Sequence, residues 1–196
     1  WLGAEDLHGT GEARHLAVAL AIGKRRERME IHNFYVPAGG DIPDPDENRR
    51  FREKLAYLDA LEAWSGRLKG RRRRLVVGDL NVAPFEHDVW SHRQMQGVVS
   101  HTPVEVERFG RAVEAGRWTD IMRRFVPATE KLYSWWSYRA ADWRLSNRGR
   151  RLDHVWASPS LADDAMSMRV VDDARGWERP SDHVPVVVDF DVDARE

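Results

Sequence analysis

Residues 51–68, FREKLAYLDALEAWSGRL, carry Phe51, Leu55, Leu58, Leu61, Trp64 and Leu68 at helical spacing. That spacing gathers the apolar side chains on one face of a helix. Gly70 marks its expected end. Next comes LVVGDLNVAP, Leu75 to Pro84, a run of β-formers that stops at Gly-Asp-Leu-Asn. A helix with one apolar face beside an apolar strand buries both by packing in layers, so this pair constrains the chain to an α/β domain. The end of the strand run is unusual. In extended chain, residues i and i+2 point to the same face, so Asp79 and Asn81 are expected to aim side by side into one small volume.

The rest of the chain continues the alternation. HLAVALAIG (His15 to Gly23) and MEIHNFYVP (Met29 to Pro37) read as strands joined by the charged turn KRRER, and GGDIPDPDENRR reads as a loop. TPVEVERFGRAVEAG reads as a second helix, with Thr102 as its N-cap and Gly116 as its stop. WTDIMRRF is a short helix, and LYSWWSY, RRLDHVWAS and HVPVVVDF are extended. The 196 residues suit a single domain, 1–196, without internal repeats.

Composition narrows the class. With 42% hydrophobic and 32% charged residues, a soluble globular protein is expected. The absence of cysteine excludes disulfides and thiolate metal sites. No apolar run approaches the ~18 residues of a membrane span, and the opening residues form no signal-peptide core; the expected location is cytoplasmic. A net charge of −1 does not by itself announce a nucleic-acid ligand, although KRRER and RRRR (Arg71 to Arg74) are locally dense in positive charge. The chain opens at Trp1, without an initiator Met.

Four polar motifs end apolar β runs: Asn33 and Tyr35 in NFYVP, Asp79 and Asn81 in GDLN, Asp153 in RLDHV, and Asp182 and His183 in SDHVP. An α/β sheet places its ligands at such strand ends. Taken in order, NFYVPxGG, GDLNVAP, SWWSYR, NRGRRLDHVWAS and PSDHVPVVVDF resemble exonuclease III and its relatives, the abasic-site endonucleases of the endonuclease/exonuclease/phosphatase superfamily. The likeness runs from about Ile31 to Phe190.

The resemblance implies a four-layer αββα sandwich of two packed β-sheets with the site at one end, and metal-dependent hydrolysis of a phosphodiester in DNA: cleavage at abasic sites, removal of nucleotides 3′ to 5′, or both. By match to the motifs, Asp79 accepts the proton of the attacking water, Asn81 holds the phosphate or that water, and Tyr35 donates to a phosphate oxygen. His183 contacts the phosphate with Asp153 orienting its ring, and Asp182 lies near the metal. Trp135, Trp136, Asn147, Arg148 and Arg150 are the expected DNA contacts, with Arg148 and Arg151 adding positive field. The implied partner is damaged duplex DNA, and the implied state is a monomer when complete.

Elementary chemistry agrees. A phosphodiester is a stable anion, so its attack needs charge neutralisation and an oriented nucleophile. Carboxylates and an amide suit a hard cation such as Mg²⁺ or Mn²⁺. A carboxylate beside His183 favours its imidazolium, which fits a phosphate clamp better than a base and leaves the water to Asp79.

Two departures stand out. The family's metal-holding Glu, in a Gln-Glu-Thr type motif, and an Asn on the first strand do not occur here. The N-terminal strands are therefore expected to be missing from this chain or supplied by a partner polypeptide. Arg150 also stands where abasic-site enzymes carry an apolar wall residue. The alternatives left open are a superfamily phosphodiesterase or phosphatase acting on a small or lipid substrate, and a non-catalytic DNA-binding domain.

Overall fold

The computed structural model describes residues 2–7, 9, 11–68, 72–140 and 142–193; Gly70 and Arg71 lie outside them. The strands are β1 (His15–Ile22), β2 (Glu27–Phe34), β3 (Arg73–Asp79), β4 (Thr119–Asp120), β5 (Trp135–Trp136), β6 (Gly149–Arg150), β7 (Asp153–Ala157), β8 (Ala165–Val170) and β9 (Val186–Phe190). The helices are α1 (Arg49–Arg67), α2 (His92–Met95), α3 (Pro103–Gly116), α4 (Ile121–Phe125), α5 (Trp143–Ser146) and α6 (Pro159–Ala162).

A five-stranded sheet in the order β1-β2-β3-β7-β4 forms the centre. Only β2 and β3 are parallel within it, and α1 makes the crossover between them. Tyr57, Leu58, Leu61 and Trp64 of α1, with Phe109 and Ala112 of α3, pack against Phe34, Val76 and Trp156 on one face. The opposite face, with Met29, Leu75 and Ala157, meets Leu161 and Ala162 of α6, Ile121 of α4, and Ala165, Val188 and Phe190 of the β8–β9 pair. The layers thus run helix, sheet, second sheet. The β8 strand has a weak sequence signal because AMSMRV mixes exposed and buried positions without a clean alternation.

Both long helices begin at side-chain caps. Asn48 accepts from Arg50 N–H at 3.0 Å and, through Nδ2, ties down the carbonyls of Gly39 and Ile42. Thr102 and Glu105 form a capping box at α3. Helix α3 runs through Gly116, and its C-cap is Arg117 in the left-handed region at φ 55°, so the expected glycine stop is displaced by one residue.

The register fixes where the polar strand ends meet. Asp79 at the end of β3 lies opposite Asp153 at the start of the antiparallel β7. β2, parallel to β3, delivers Tyr35 at the same sheet edge, and Val36 N–H donates to Asp79 O at 2.9 Å. Gly78 makes this approach possible: at φ +124° a Cβ there would stand 2.1 Å from Phe34 O.

Candidate active site

Asp79 and Asn81 come together, but not as neighbours along an extended strand. The strand stops at Asp79, and Asn81 is left-handed at φ 53°. The chain folds back on the Asp79 carboxylate, which accepts Asn81 N–H at 3.0 Å and Asn81 Nδ2–H at 2.9 Å. The other Nδ2 proton goes to Val36 O at 2.9 Å. Both amide protons of Asn81 are therefore engaged within the chain. Its Oδ1 is left as an acceptor, suited to a water or a cation rather than to a phosphate oxygen. Asn81, expected to hold the phosphate or the attacking water, is here hydrogen-bonded to the Asp79 carboxylate.

Ser134 and Asp153 orient His183. Its Nδ1 lies 2.8 Å from Asp153 Oδ2, and its Nε2 lies 3.9 Å from Asp79 Oδ2. Ser134 Oγ donates to Asp153 Oδ2 at 2.7 Å while accepting Leu152 N–H and Asp153 N–H, each at 3.1 Å. Ser134 opens the SWWSYR motif; its role is invisible from position alone, because its partners lie 18 and 19 residues away. A bridge between Trp135 and His183, with Trp136 N–H donating to Asp182 O and Val184 N–H to Ser134 O, zips the two segments together.

The electrostatics follow from this crowding. Burial, then the Asp153 charge, pushes the Asp79 carboxyl from 3.8 up to about 6; His183, the Asn81 N–H and Lys54 act the other way. Burial alone would lower the His183 pKa, but the bond to Asp153 and the charges of Asp153, Asp79 and Asp182 raise it above the ordinary imidazole value. The site thus favours the cationic form of His183 beside a carboxylate that binds a proton more readily than a free one.

Asp79, Asp153 and His183 are the group of acidic and histidine side chains, among the described residues, whose donor atoms lie within 4.8 Å of one another. Two carboxylates forced together in a partly buried site are relieved by a divalent cation, and their hard oxygens match Mg²⁺ or Mn²⁺. The residues present therefore fit such an ion. Asp182 is outside this group: its Oδ2 accepts from Trp135 Nε1 at 3.0 Å.

A cavity of about 670 Å³ opens onto Asp79, Asn81 and His183, lined among others by Tyr35, Trp90, Trp135, Arg148, Arg150 and Leu152. Tyr35 is exposed, with the Arg14 guanidinium 5.1 Å from its ring centre. Arg148 stacks on Trp90 at 4.6 Å and Arg150 on Trp135 at 5.1 Å. Trp136 is buried in a core with Tyr133, Ala174 and Val184 and does not line this cavity. Asn147 is exposed, with its Oδ1 taking Trp136 Nε1–H at 3.1 Å.

Arg151 departs most from expectation. It is fully buried and donates through Nε and Nη2 to the two Asp88 carboxylate oxygens at 2.7 and 2.8 Å. Its charge is spent on the core and adds nothing to a surface field. Arg123 also pairs with Asp88, and Arg151 Nη1 donates to Asp120 Oδ2 at 2.7 Å and to His154 Nδ1 at 3.2 Å. His154 Nε2 donates to Val82 O at 2.8 Å. Burial, and then the Arg151 charge, holds that ring neutral, down to about 3. This network fixes Leu152 and Asp153 from below.

Fold and site together define a layered α/β protein with a paired-carboxylate site suited to phosphate esters at the ends of its inner strands. The chain belongs to the endonuclease/exonuclease/phosphatase family, whose pattern matches residues 9–183. It is 30% identical over 184 residues to an exodeoxyribonuclease of Bacillus subtilis, spanning 92% of this chain and 67% of that protein. It is also 30% identical over 172 residues to exodeoxyribonuclease III of Haemophilus influenzae, spanning 83% and 61%. Among solved structures, an AP endonuclease from Archaeoglobus fulgidus superposes with a TM-score of 0.78 at 26% identity, covering 90% of this chain and 70% of that one. The 3′ phosphatase NExo from Neisseria, bound to a product DNA hairpin, does so with 0.75 at 25%, covering 96% and 69%. The chain thus spans roughly two thirds of the length of these proteins.

Proposed function

We propose that this domain, residues 1–196, is the larger part of a divalent-metal-dependent DNA phosphodiesterase that cleaves at abasic sites, trims nucleotides 3′ to 5′, or both. The observation that carries this reading is the convergence of Asp79, Asp153 and His183 at the ends of the inner strands β3 and β7, with donor atoms within 4.8 Å. The names of its relatives, an exodeoxyribonuclease and an AP endonuclease, point to DNA as the substrate. A cytoplasmic monomer acting on damaged duplex completes the proposal. No helix among the described residues is long and apolar enough to cross a membrane.

In this reading Asp79, held by Asn81, takes a proton from the water whose oxygen attacks phosphorus. His183, cationic through Asp153, faces the phosphate and offsets its charge, and Tyr35 donates to a phosphate oxygen. The bond from phosphorus to the leaving 3′-oxygen breaks in line with the attack, and that oxygen takes up a proton from solvent to leave as a 3′-hydroxyl. A divalent ion held by Asp79 and Asp153 would supply charge neutralisation at the phosphate.

The test is salt dependence of substrate affinity. A DNA substrate is expected to weaken steeply between 50 and 200 mM salt, by on the order of 10³-fold or more if six phosphates are contacted. A flat response would favour a small phosphoester instead. Arg150 gives a second expectation. Its Nε is buried without a hydrogen-bond partner, and Nη1 donates to Val99 O and Ser100 Oγ at 3.3 and 3.0 Å. A cation in the wall suits a base or phosphate better than a bare sugar. Arg150→Leu should raise abasic cleavage relative to 3′-end trimming by about tenfold, read from the two rates on matched oligonucleotides; an unchanged ratio would free Arg150 of this role.

A further inference from the structure

Beneath the cavity a lysine and a glutamate, both fully buried, form an ion pair: Lys54 of α1 and Glu105 of α3. The pair sits where three loops meet. Lys54 Nζ donates to Asn81 O at 2.7 Å and to Ala38 O at 3.3 Å. Glu105 accepts Ser100 N–H at 3.0 Å, Thr102 N–H at 3.1 Å and the Thr102 hydroxyl at 2.6 Å. The loop after β2 that carries Tyr35, the loop after β3 that carries Asn81, and the loop before α3 whose Ser100 receives Arg150 are thus tied to one point.

A buried amine with a capping role alone would need no contact with the Gly-Asp-Leu-Asn turn. Here its shortest hydrogen bond to a carbonyl goes to the residue that grips Asp79 through two hydrogen bonds. Asn81 is a non-glycine residue in the left-handed region, a conformation that persists only when its surroundings hold it. Gly39 accommodates the lysine stem: a Cβ there would meet Lys54 Cδ at 2.8 Å.

We propose that Lys54 is a positioning residue for hydrolysis: its ammonium, by holding the Asn81 carbonyl, locks the Asn81 side chain onto the Asp79 carboxylate. Glu105 anchors the lysine and organises the 100–102 loop. The inference rests on the phosphodiesterase reading above. Misplacement of a reacting group by about 1 Å can cost on the order of 10²-fold in rate. Loss of the Lys54 donor is therefore expected to lower kcat by roughly 10- to 100-fold and to leave KM nearly unchanged, because the surfaces that touch DNA stay in place.

The experiment compares the double variants K54Q/E105Q and K54M/E105Q in the intact protein, measuring kcat, KM and Tm for each on a duplex with one abasic site. Both replace the pair with side chains of similar volume, an exchange that buried ion pairs often tolerate, and neither strands a buried charge. K54Q/E105Q keeps an amide N–H to donate to the Asn81 carbonyl, whereas K54M/E105Q removes the donor. The kcat of K54Q/E105Q should therefore exceed that of K54M/E105Q by about tenfold, with KM held in both. Equal kcat values in the two folded variants overturn the proposal, as does wild-type kcat in K54M/E105Q. If K54M/E105Q does not fold, K54Q/E105Q decides: kcat near wild type supports the role of the donor, and a loss of tenfold or more at unchanged Tm overturns it. An inactive wild type would remove the phosphodiesterase reading itself, whereas an active wild type with a fully active K54M/E105Q variant removes only the role of Lys54.

Discussion

Asp79→Asn lowers the hydrolytic rate by about 10²–10⁴-fold and at the same time makes the metal-free protein more stable at pH 7. The loss of rate follows from removing the proton acceptor while keeping the shape of the site. The gain in stability follows from the carboxyl's raised pKa. In the folded chain it sits at about 6 rather than 3.8, burial being the larger cause and Asp153 the next. Between those two values the folded state binds more protons than the unfolded state, so stability falls as pH rises through the window. Above pH 6 the full penalty of the charged form is in force, up to about 3 kcal/mol. Asparagine carries no charge and escapes it, less roughly 1 kcal/mol for one of the two hydrogen bonds from Asn81, because an amide NH₂ cannot accept. Single-turnover rates and thermal melts at pH 7 and below pH 4 measure both effects, and the stability difference should vanish at the lower pH. An undiminished rate would remove Asp79 from the chemistry; a variant that melts below wild type at pH 7 would remove the burial penalty.

Asp88→Ala is expected to be the most destabilising single change among these residues, at roughly 3–5 kcal/mol, or about 6–20 °C in Tm. Asp88 is fully buried and neutralises two arginines, Arg151 and Arg123, while also accepting Phe85 N–H at 3.0 Å. Truncation leaves Arg151 buried with Asp120 as its remaining carboxylate partner. Because Arg151 lies two residues before Asp153, rate should suffer with stability. A variant melting within about 1 °C of wild type would show that the network tolerates the loss and that Asp120 alone holds Arg151.

Much of this architecture was legible in the residues. The 51–68 apolar stripe, the β runs at 15–22, 29–34 and 75–79, and the Thr102 cap each carry a local signal, because helix and strand periodicity and capping are short-range. The convergence of the strand-end motifs was legible through their order. What escaped were long-range polar pairings. RRLD looks like a charged surface stretch, yet Arg151 is buried by an aspartate 63 residues away. Lys54 falls between apolar helix positions, and partners distant in the chain, Glu105 and the carbonyls of Asn81 and Ala38, explain its burial. The left-handed turn at Asn81 was likewise hidden, because the rule that places i and i+2 on one face assumes an extended backbone.

The most direct measurement is cleavage of a duplex bearing a single abasic site by the intact protein, in Mg²⁺ and in EDTA, with an undamaged duplex alongside. The site described above predicts cleavage at the abasic position in Mg²⁺, none in EDTA, and loss from the undamaged duplex only at its 3′ ends. Cleavage that is equally fast in EDTA, or no cleavage of either duplex in Mg²⁺, would contradict a metal-assisted phosphodiesterase built on Asp79, Asp153 and His183.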